Sequence, residues 1–192
     1  MGRKAWLVSA DIARREEVVA MFGVIDAEVG RLDIAVNNSG VSVAGSLAGV
    51  TDEQISDGLG INLLGPLHVA SEAAKRIGEG GRIINLGSTN SEFPLAGAGL
   101  YGAAKAALKH MTVSWAKELG RKGATCNMVI PGAISPGMID RNPQYKELYA
   151  NASPFGRIGE AGEIAAVVAF LASPQASWVS GAHIMANGAA NM

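Results

Sequence analysis

Arg82-Ile83-Ile84-Asn85-Leu86-Gly87-Ser88, residues 82–88, is an apolar run of strand length that ends on a small turn and a hydroxyl. Runs of the same length and character stand at Lys4–Ala10, Leu32–Asn37, Ala124–Ile130 and Ala182–Ala186. The stretches between them, Arg14–Val29, Glu53–Ile77, Ala103–Leu119 and Glu163–Ala172, carry helical periodicity. Strand and helix in alternation predict an α/β protein built on a doubly wound, mainly parallel sheet, with five predicted strands. Only Pro131–Gly162, which holds Pro131, Pro136, Pro143 and Pro154, breaks the pattern, and it reads as a lid over the carboxyl ends of the strands. No internal repeat or low-complexity linker divides the chain, so residues 1–192 read as a single domain.

Composition narrows the function. The hydrophobic share of 48% and the length of 192 residues suit a globular α/β domain with a full core. A net charge of -1 offers no footprint for nucleic acid or a membrane surface. Glycine, at 25 residues, is nearly twice as frequent as the average of about 7% and clusters between the apolar runs, where α/β folds place turns close to ligands. Cys126, the only cysteine, lies within an apolar run and reads as a buried strand thiol. Met1-Gly2-Arg3-Lys4-Ala5-Trp6 opens no apolar signal segment, and the cytoplasm is the expected compartment. His68, His110 and His183 have no ligand spacing, and no metal site is expected.

The chemistry centres on Tyr101 and Lys105, four residues apart at the start of an Ala-rich helical segment, with Ser88 thirteen residues upstream. Residues at i and i+4 are neighbours on one helix face, so an ammonium can lie beside a phenol. A cation there favours the phenolate and draws the tyrosine toward the range of a general acid or base. Ser88 can polarise the same substrate oxygen. Gly97-Ala98-Gly99-Leu100-Tyr101-Gly102 satisfies Gly-x-Gly-x-x-Gly, but Asn90–Ala96 separate it from the preceding strand. These glycines therefore read as slack in a loop, with no phosphate role.

With Ser88, Tyr101 and Lys105 in this order, the chain resembles the short-chain dehydrogenase/reductase family over nearly its whole length. Ala10-Asp11-Ile12 is similar to the acidic position after the family's third strand, and Asn37-Asn38-Ser39-Gly40 to its Asn-Asn-Ala-Gly turn. Asn62 resembles the active-site asparagine, and Pro131-Gly132-Ala133-Ile134 the Pro-Gly turn beside the nicotinamide. The resemblance implies a Rossmann-like fold and hydride transfer between NAD or NADP and a ketone or secondary alcohol. It makes Tyr101 the proton donor or acceptor, Lys105 the cation that lowers its pKa and bonds the cofactor ribose, and Ser88 the oxyanion donor. Asn62 would hold a water near its backbone. Asp11 and the Ile12 backbone would meet the adenine, Asn37 and Gly40 the ribose side, and Pro131, Gly132 and Ile134 the nicotinamide. Pairing through Glu53–Ile77 and Ala103–Leu119 into dimers or tetramers is implied as well.

The same resemblance exposes a gap. Family members open with a strand, a Gly-rich phosphate turn, a helix and a second strand before anything like Lys4–Asp11, and this sequence has no such unit. The expectation is an N-terminally truncated domain whose Met1 is internal to a longer reading frame. Other outcomes are a Lys4–Ala10 strand sliding in beside Leu32–Asn37, or a remnant or interaction fragment that binds no cofactor by itself. Asp11 also suits a purely structural role as a helix N-cap. Pro136 stands where the family often has a threonine that bonds the nicotinamide amide, and Asn187 where it has an aspartate.

Overall fold

The structure, a computed structural model, describes residues 4–190. Four strands, β1 (Leu32–Asn37), β2 (Ile77–Leu86), β3 (Thr125–Pro131) and β6 (His183–Ala186), form one parallel sheet in the order β1-β2-β3-β6. Helices α1 (Arg15–Glu28), α3 (Gly65–Arg76) and α4 (Gly99–Leu119) cover one face, and α6 (Ala161–Ala172) the other. A short α2 (Asp52–Leu59) leads into α3. The predicted parallel, helix-flanked architecture is therefore present.

Its period-two logic is visible in the central strands. Ile83, Cys126, Met128 and Ile130 face α3 and α4, whereas Ile84, Leu86 and Val129 pack on α6 with Ile164, Val167 and Leu171. Both faces of β2 and β3 are thus buried, which is why those runs read as continuous apolar sequence. β1 is an edge strand. Ala35 and Asn37 are buried toward α3, while Ile34 and Val36, on the α6 side, stay 43% and 42% exposed.

Four expectations need correction. Lys4–Ala10 is not a strand: no strand lies beside it among the described residues, Leu7 is fully exposed, and an extended run with no neighbour has nothing to hold its N–H and C=O groups in a ladder. The predicted helix Glu53–Ile77 is broken at Gly60–Leu64 by a π turn. Pro66 explains part of that break, since it has no N–H for the Asn62 carbonyl four residues back. Pro131–Gly162 is not wholly irregular, because β4 (Ile134–Ser135) pairs with β5 (Gly159–Glu160) and α5 (Lys146–Ala152) lies between them. Finally, the helix carrying Tyr101 begins at Gly99, so Gly99 and Gly102 are helical and do not form a slack loop.

Candidate active site

α4 packs along β2 and β3 through a buried stripe, Lys105, Leu108, Thr112, Ala116 and Leu119, and its first turns lie at the carboxyl end of β2. Its first turn is held close by Gly102, where a Cβ would stand 2.9 Å from the Asn90 carbonyl oxygen. Only a residue without a side chain permits that approach, which seats Tyr101 beside the Ser88 turn. Ser88 caps the short turn Thr89–Ser91, its hydroxyl accepting from the Asn90 N–H at 3.2 Å. The Ser88 hydroxyl also lies beside the Tyr101 phenol, where it favours the ionised form.

Lys105 is only 3% exposed, donates to the Leu86 carbonyl at 3.0 Å, and has no carboxylate partner among the described residues. Burial lowers its pKa to about 8, still high enough to leave it charged at neutral pH. Its ammonium stands 5.9 Å from the centre of the Tyr101 ring. The expected depression of the tyrosine by this cation is not seen. Burial pushes Tyr101 above its ordinary value, and the opposing influence is the Ser88 hydroxyl. Lys105 reaches past the phenol to the β2 backbone, so its charge is spent chiefly on the Leu86 carbonyl.

Asn62 lies in the π turn with no exposure, and its amide is fully engaged. It donates to the Val41 and Gly58 carbonyls, both at 3.0 Å, and accepts from the Val41 N–H at 3.1 Å. Its side chain therefore clamps the Gly40–Val41 backbone, leaving its main chain as the part available for other work. Gly40 sits over the same spot: a Cβ there would be 3.2 Å from Asn62 Oδ1, 3.7 Å from Lys105 Nζ and 3.6 Å from Met138 Cε.

The other sequence-predicted residues divide. Asn37 is turned inward, its amide donating to Asn85 Oδ1 at 2.8 Å and to the Pro66 carbonyl at 3.3 Å, so those hydrogens do not face a ligand. Asp11 accepts from the Ala13 N–H at 3.0 Å and so caps the turn Asp11–Arg14, while the N-cap of α1 itself is Arg14. The Ile12 carbonyl is engaged by His68 Nδ1 at 3.0 Å. Pro131 closes β3, Gly132 follows with its N–H on the Ala186 carbonyl at 3.2 Å, and Ile134 is in β4. Cys126 is buried, and its thiol is pushed up to about 12 by burial.

Three residues that matter here escaped the sequence reading. Gly102 looked like part of a coincidental glycine motif. Met138 was readable only as part of the lid segment, with no role of its own, yet its methyl would lie 3.6 Å from a Cβ at Gly40. Thr112, one more polar residue in a helix, is wholly buried against Asn85. The one available hint was Asn85 itself, a polar residue in the middle of an apolar strand.

The residues fit a nicotinamide cofactor on two observations. Lys105 is a buried cation with a single acceptor among the described residues, and the Gly40 cradle beside it is a space that one methyl group would fill. A clustered metal site is a different matter: among the described residues no group of three or more His, Cys, Asp or Glu could hold an ion. No helix among them is long and apolar enough to cross a membrane.

A parallel α/β sheet with Ser, Tyr and Lys gathered at its carboxyl edge is the arrangement of a nucleotide-dependent oxidoreductase. The chain belongs to the short-chain dehydrogenase/reductase family, whose members are NAD(P)-dependent oxidoreductases acting on carbonyls and alcohols. A family model described as enoyl-(acyl carrier protein) reductase matches residues 1–191. The cyclic-di-GMP-binding biofilm dispersal mediator protein of Escherichia coli (strain K12) is 36% identical over 186 residues, covering 96% of this chain and 77% of the relative. A solved Serratia marcescens short-chain dehydrogenase/reductase mutant superposes with a TM-score of 0.95 at 33% identity, over 100% of this chain and 78% of that one. The angucycline C-6 ketoreductase LanV, solved with bound NADP, gives 0.90 at 32% identity, over 96% of this chain and 75% of that one. The chain thus spans about three quarters of the length of these relatives.

Proposed function

We propose that the 192 residues act as one Rossmann-like domain that reduces a ketone to a secondary alcohol, with Tyr101 as the acid. The observation that carries this reading is a half-buried Tyr101 phenol, raised by desolvation, that has Ser88 beside it and the Lys105 ammonium 5.9 Å from its ring centre. A phenol held above its ordinary value is protonated at neutral pH and ready to donate. Ser88 orients the substrate oxygen and donates to it as charge develops. Lys105 keeps a positive charge 5.9 Å from the ring centre. When bound, the nicotinamide supplies the hydride. Lys105 and the Gly40 backbone would hold the ribose beside it, Asp11 and Ile12 the adenine end, and Pro131, Gly132 and Ile134 the nicotinamide end. Asn62 positions Gly40 through Val41, and its backbone carbonyl is the candidate acceptor for a relay water. A cytoplasmic homo-oligomer, dimer or tetramer, acting on a small carbonyl or alcohol substrate completes the reading.

The test is a fluorescence titration of the chain with NADH and with NADPH, followed by turnover on a panel of ketones. Submillimolar binding and turnover that disappears in Tyr101→Phe are expected; full turnover in that variant overturns the role of Tyr101. A second reading, a fragment that keeps these residues but binds no cofactor alone, is favoured by the open edge of β1 with Ile34 and Val36 uncovered. Absence of binding to either nucleotide would decide for it.

A further inference from the structure

A chain of buried side chains crosses the α3 and α4 face of the sheet. Asn37 Nδ2 donates to the Pro66 carbonyl and to Asn85 Oδ1; Asn85 Nδ2 donates to Thr112 Oγ1 at 2.9 Å; the Thr112 hydroxyl donates to the Leu108 carbonyl at 2.8 Å. Asn37 and Asn85 are register partners on adjacent strands, so the chain ties α3, β1, β2 and α4 into one line. Asn85 and Thr112 have no exposure at all. Buried amides and hydroxyls are costly unless paired, and their geometry is directional where apolar packing is not.

The place of this chain on α4 gives it a use. Thr112 is seven residues from Lys105, two helical turns along the same buried face. Leu86, whose carbonyl receives the Lys105 ammonium, is the neighbour of Asn85 on β2. Leu108, between the two polar contacts, packs on Met128 and Ile130, side chains that alone would tolerate a sliding helix. We propose that Asn85 and Thr112 are positioning residues, which fix the height and rotation of α4 on β2 so that Lys105 and Tyr101 meet the Leu86–Ser88 strand end. The proposal rests on the hydride-transfer reading only for its effect on turnover.

The test compares Thr112→Val, which keeps the shape and loses the hydroxyl, with Thr112→Ser, which keeps the hydroxyl. The Lys105 side chain is followed by NMR titration in 13C-lysine-labelled protein, with Lys105→Met assigning the resonance. In the native chain Lys105 is expected to titrate below its ordinary value, at about 8, because of its burial. In Thr112→Val the midpoint moves back toward 10.5 as Lys105 leaves the Leu86 carbonyl for water, and Thr112→Ser restores it. In cofactor-loaded enzyme kcat falls roughly 10- to 100-fold in the valine variant with KM little changed. A native Lys105 titration in folded Thr112→Val overturns the proposal; if valine does not fold, Thr112→Ala is read in the same way. Should Tyr101→Phe keep full turnover, the hydride-transfer reading fails, while the Lys105 titration still decides the positioning role.

Discussion

Replacing Lys105 by methionine trades function for stability in a way that pH can expose. The native side chain is 3% exposed and its pKa is lowered from 10.5 to about 8 by burial. Two and a half pH units at about 1.36 kcal/mol each mean that holding this ammonium charged costs the fold about 3 kcal/mol. Methionine removes that cost but leaves the Leu86 carbonyl without its donor, a loss of about 1–3 kcal/mol. At pH 7 the variant is therefore expected to equal or exceed the native chain by up to about 2 kcal/mol.

The sign of the pH dependence is the sharper test. Between pH 8 and 10.5 the unfolded chain keeps the Lys105 proton and the folded chain releases it, so native stability rises with pH across that window. The rise is about 1 kcal/mol from pH 8 to 9 and continues toward about 3 kcal/mol. Cys126 and Tyr101, both raised by burial, act in the opposite direction above pH 9 and 10, but they are common to both proteins and cancel in the difference. Urea unfolding followed by tryptophan fluorescence, at one-unit steps from pH 6 to 10, measures the gap between native and Lys105→Met. The gap should shift steadily in favour of the native protein above pH 8. A gap that stays constant over the whole range refutes the reasoning, since Lys105 would then titrate alike in folded and unfolded chains.

Other outcomes follow from the same geometry. Tyr101→Phe keeps the ring over which Lys105 lies, so turnover should fall by roughly 10²- to 10⁴-fold with no change in unfolding midpoint, measured by steady-state kinetics and thermal melts. Gly102→Ala forfeits its helix-propensity gain of about 1 kcal/mol because the new Cβ meets the Asn90 carbonyl oxygen at 2.9 Å, and it should lower turnover. Gly120→Ala, with nothing within 4 Å of its Cβ and a helical φ, should instead stabilise by about 0.4–1 kcal/mol. Asp140 is held down to about 2 by Lys146, the Gly137 N–H and Ser135, contacts that tie the segment 135–146 together. These ties persist at pH 4 and are lost as pH falls through about 2, so pepsin should cut near Tyr145 and Leu148 much faster at pH 2, and Asp140→Ala should abolish the difference.

Much of this was written along the chain. The apolar runs at Leu32–Asn37, Arg82–Ser88 and Ala124–Ile130 are buried on both faces or at an edge, and their unbroken hydrophobicity announced parallel strands. The spacing of Ser88, Tyr101 and Lys105 was readable because helical neighbours at i and i+4 are a local property, independent of the rest of the fold. Lys4–Ala10 had the same apolar character and still is no strand, because a strand is defined by a partner and local composition says nothing of one. Asn37 carried the right motif but points inward, a direction set by its register against Asn85.

The sequence by itself thus determined the order of elements, the alternation that makes a parallel sheet, and the i, i+4 spacing that puts Tyr101 and Lys105 on one helix face, all consequences of short-range periodicity. Tertiary structure alone decided that the Tyr101 phenol is raised and not lowered, since burial and the reach of Lys105 to the Leu86 carbonyl are properties of packing. It also decided that Gly102 is a contact point and that Asn85 and Thr112 join across the sheet. Desolvation and hydrogen-bond direction depend on atoms brought together from far along the chain, and no local pattern of residues contains them.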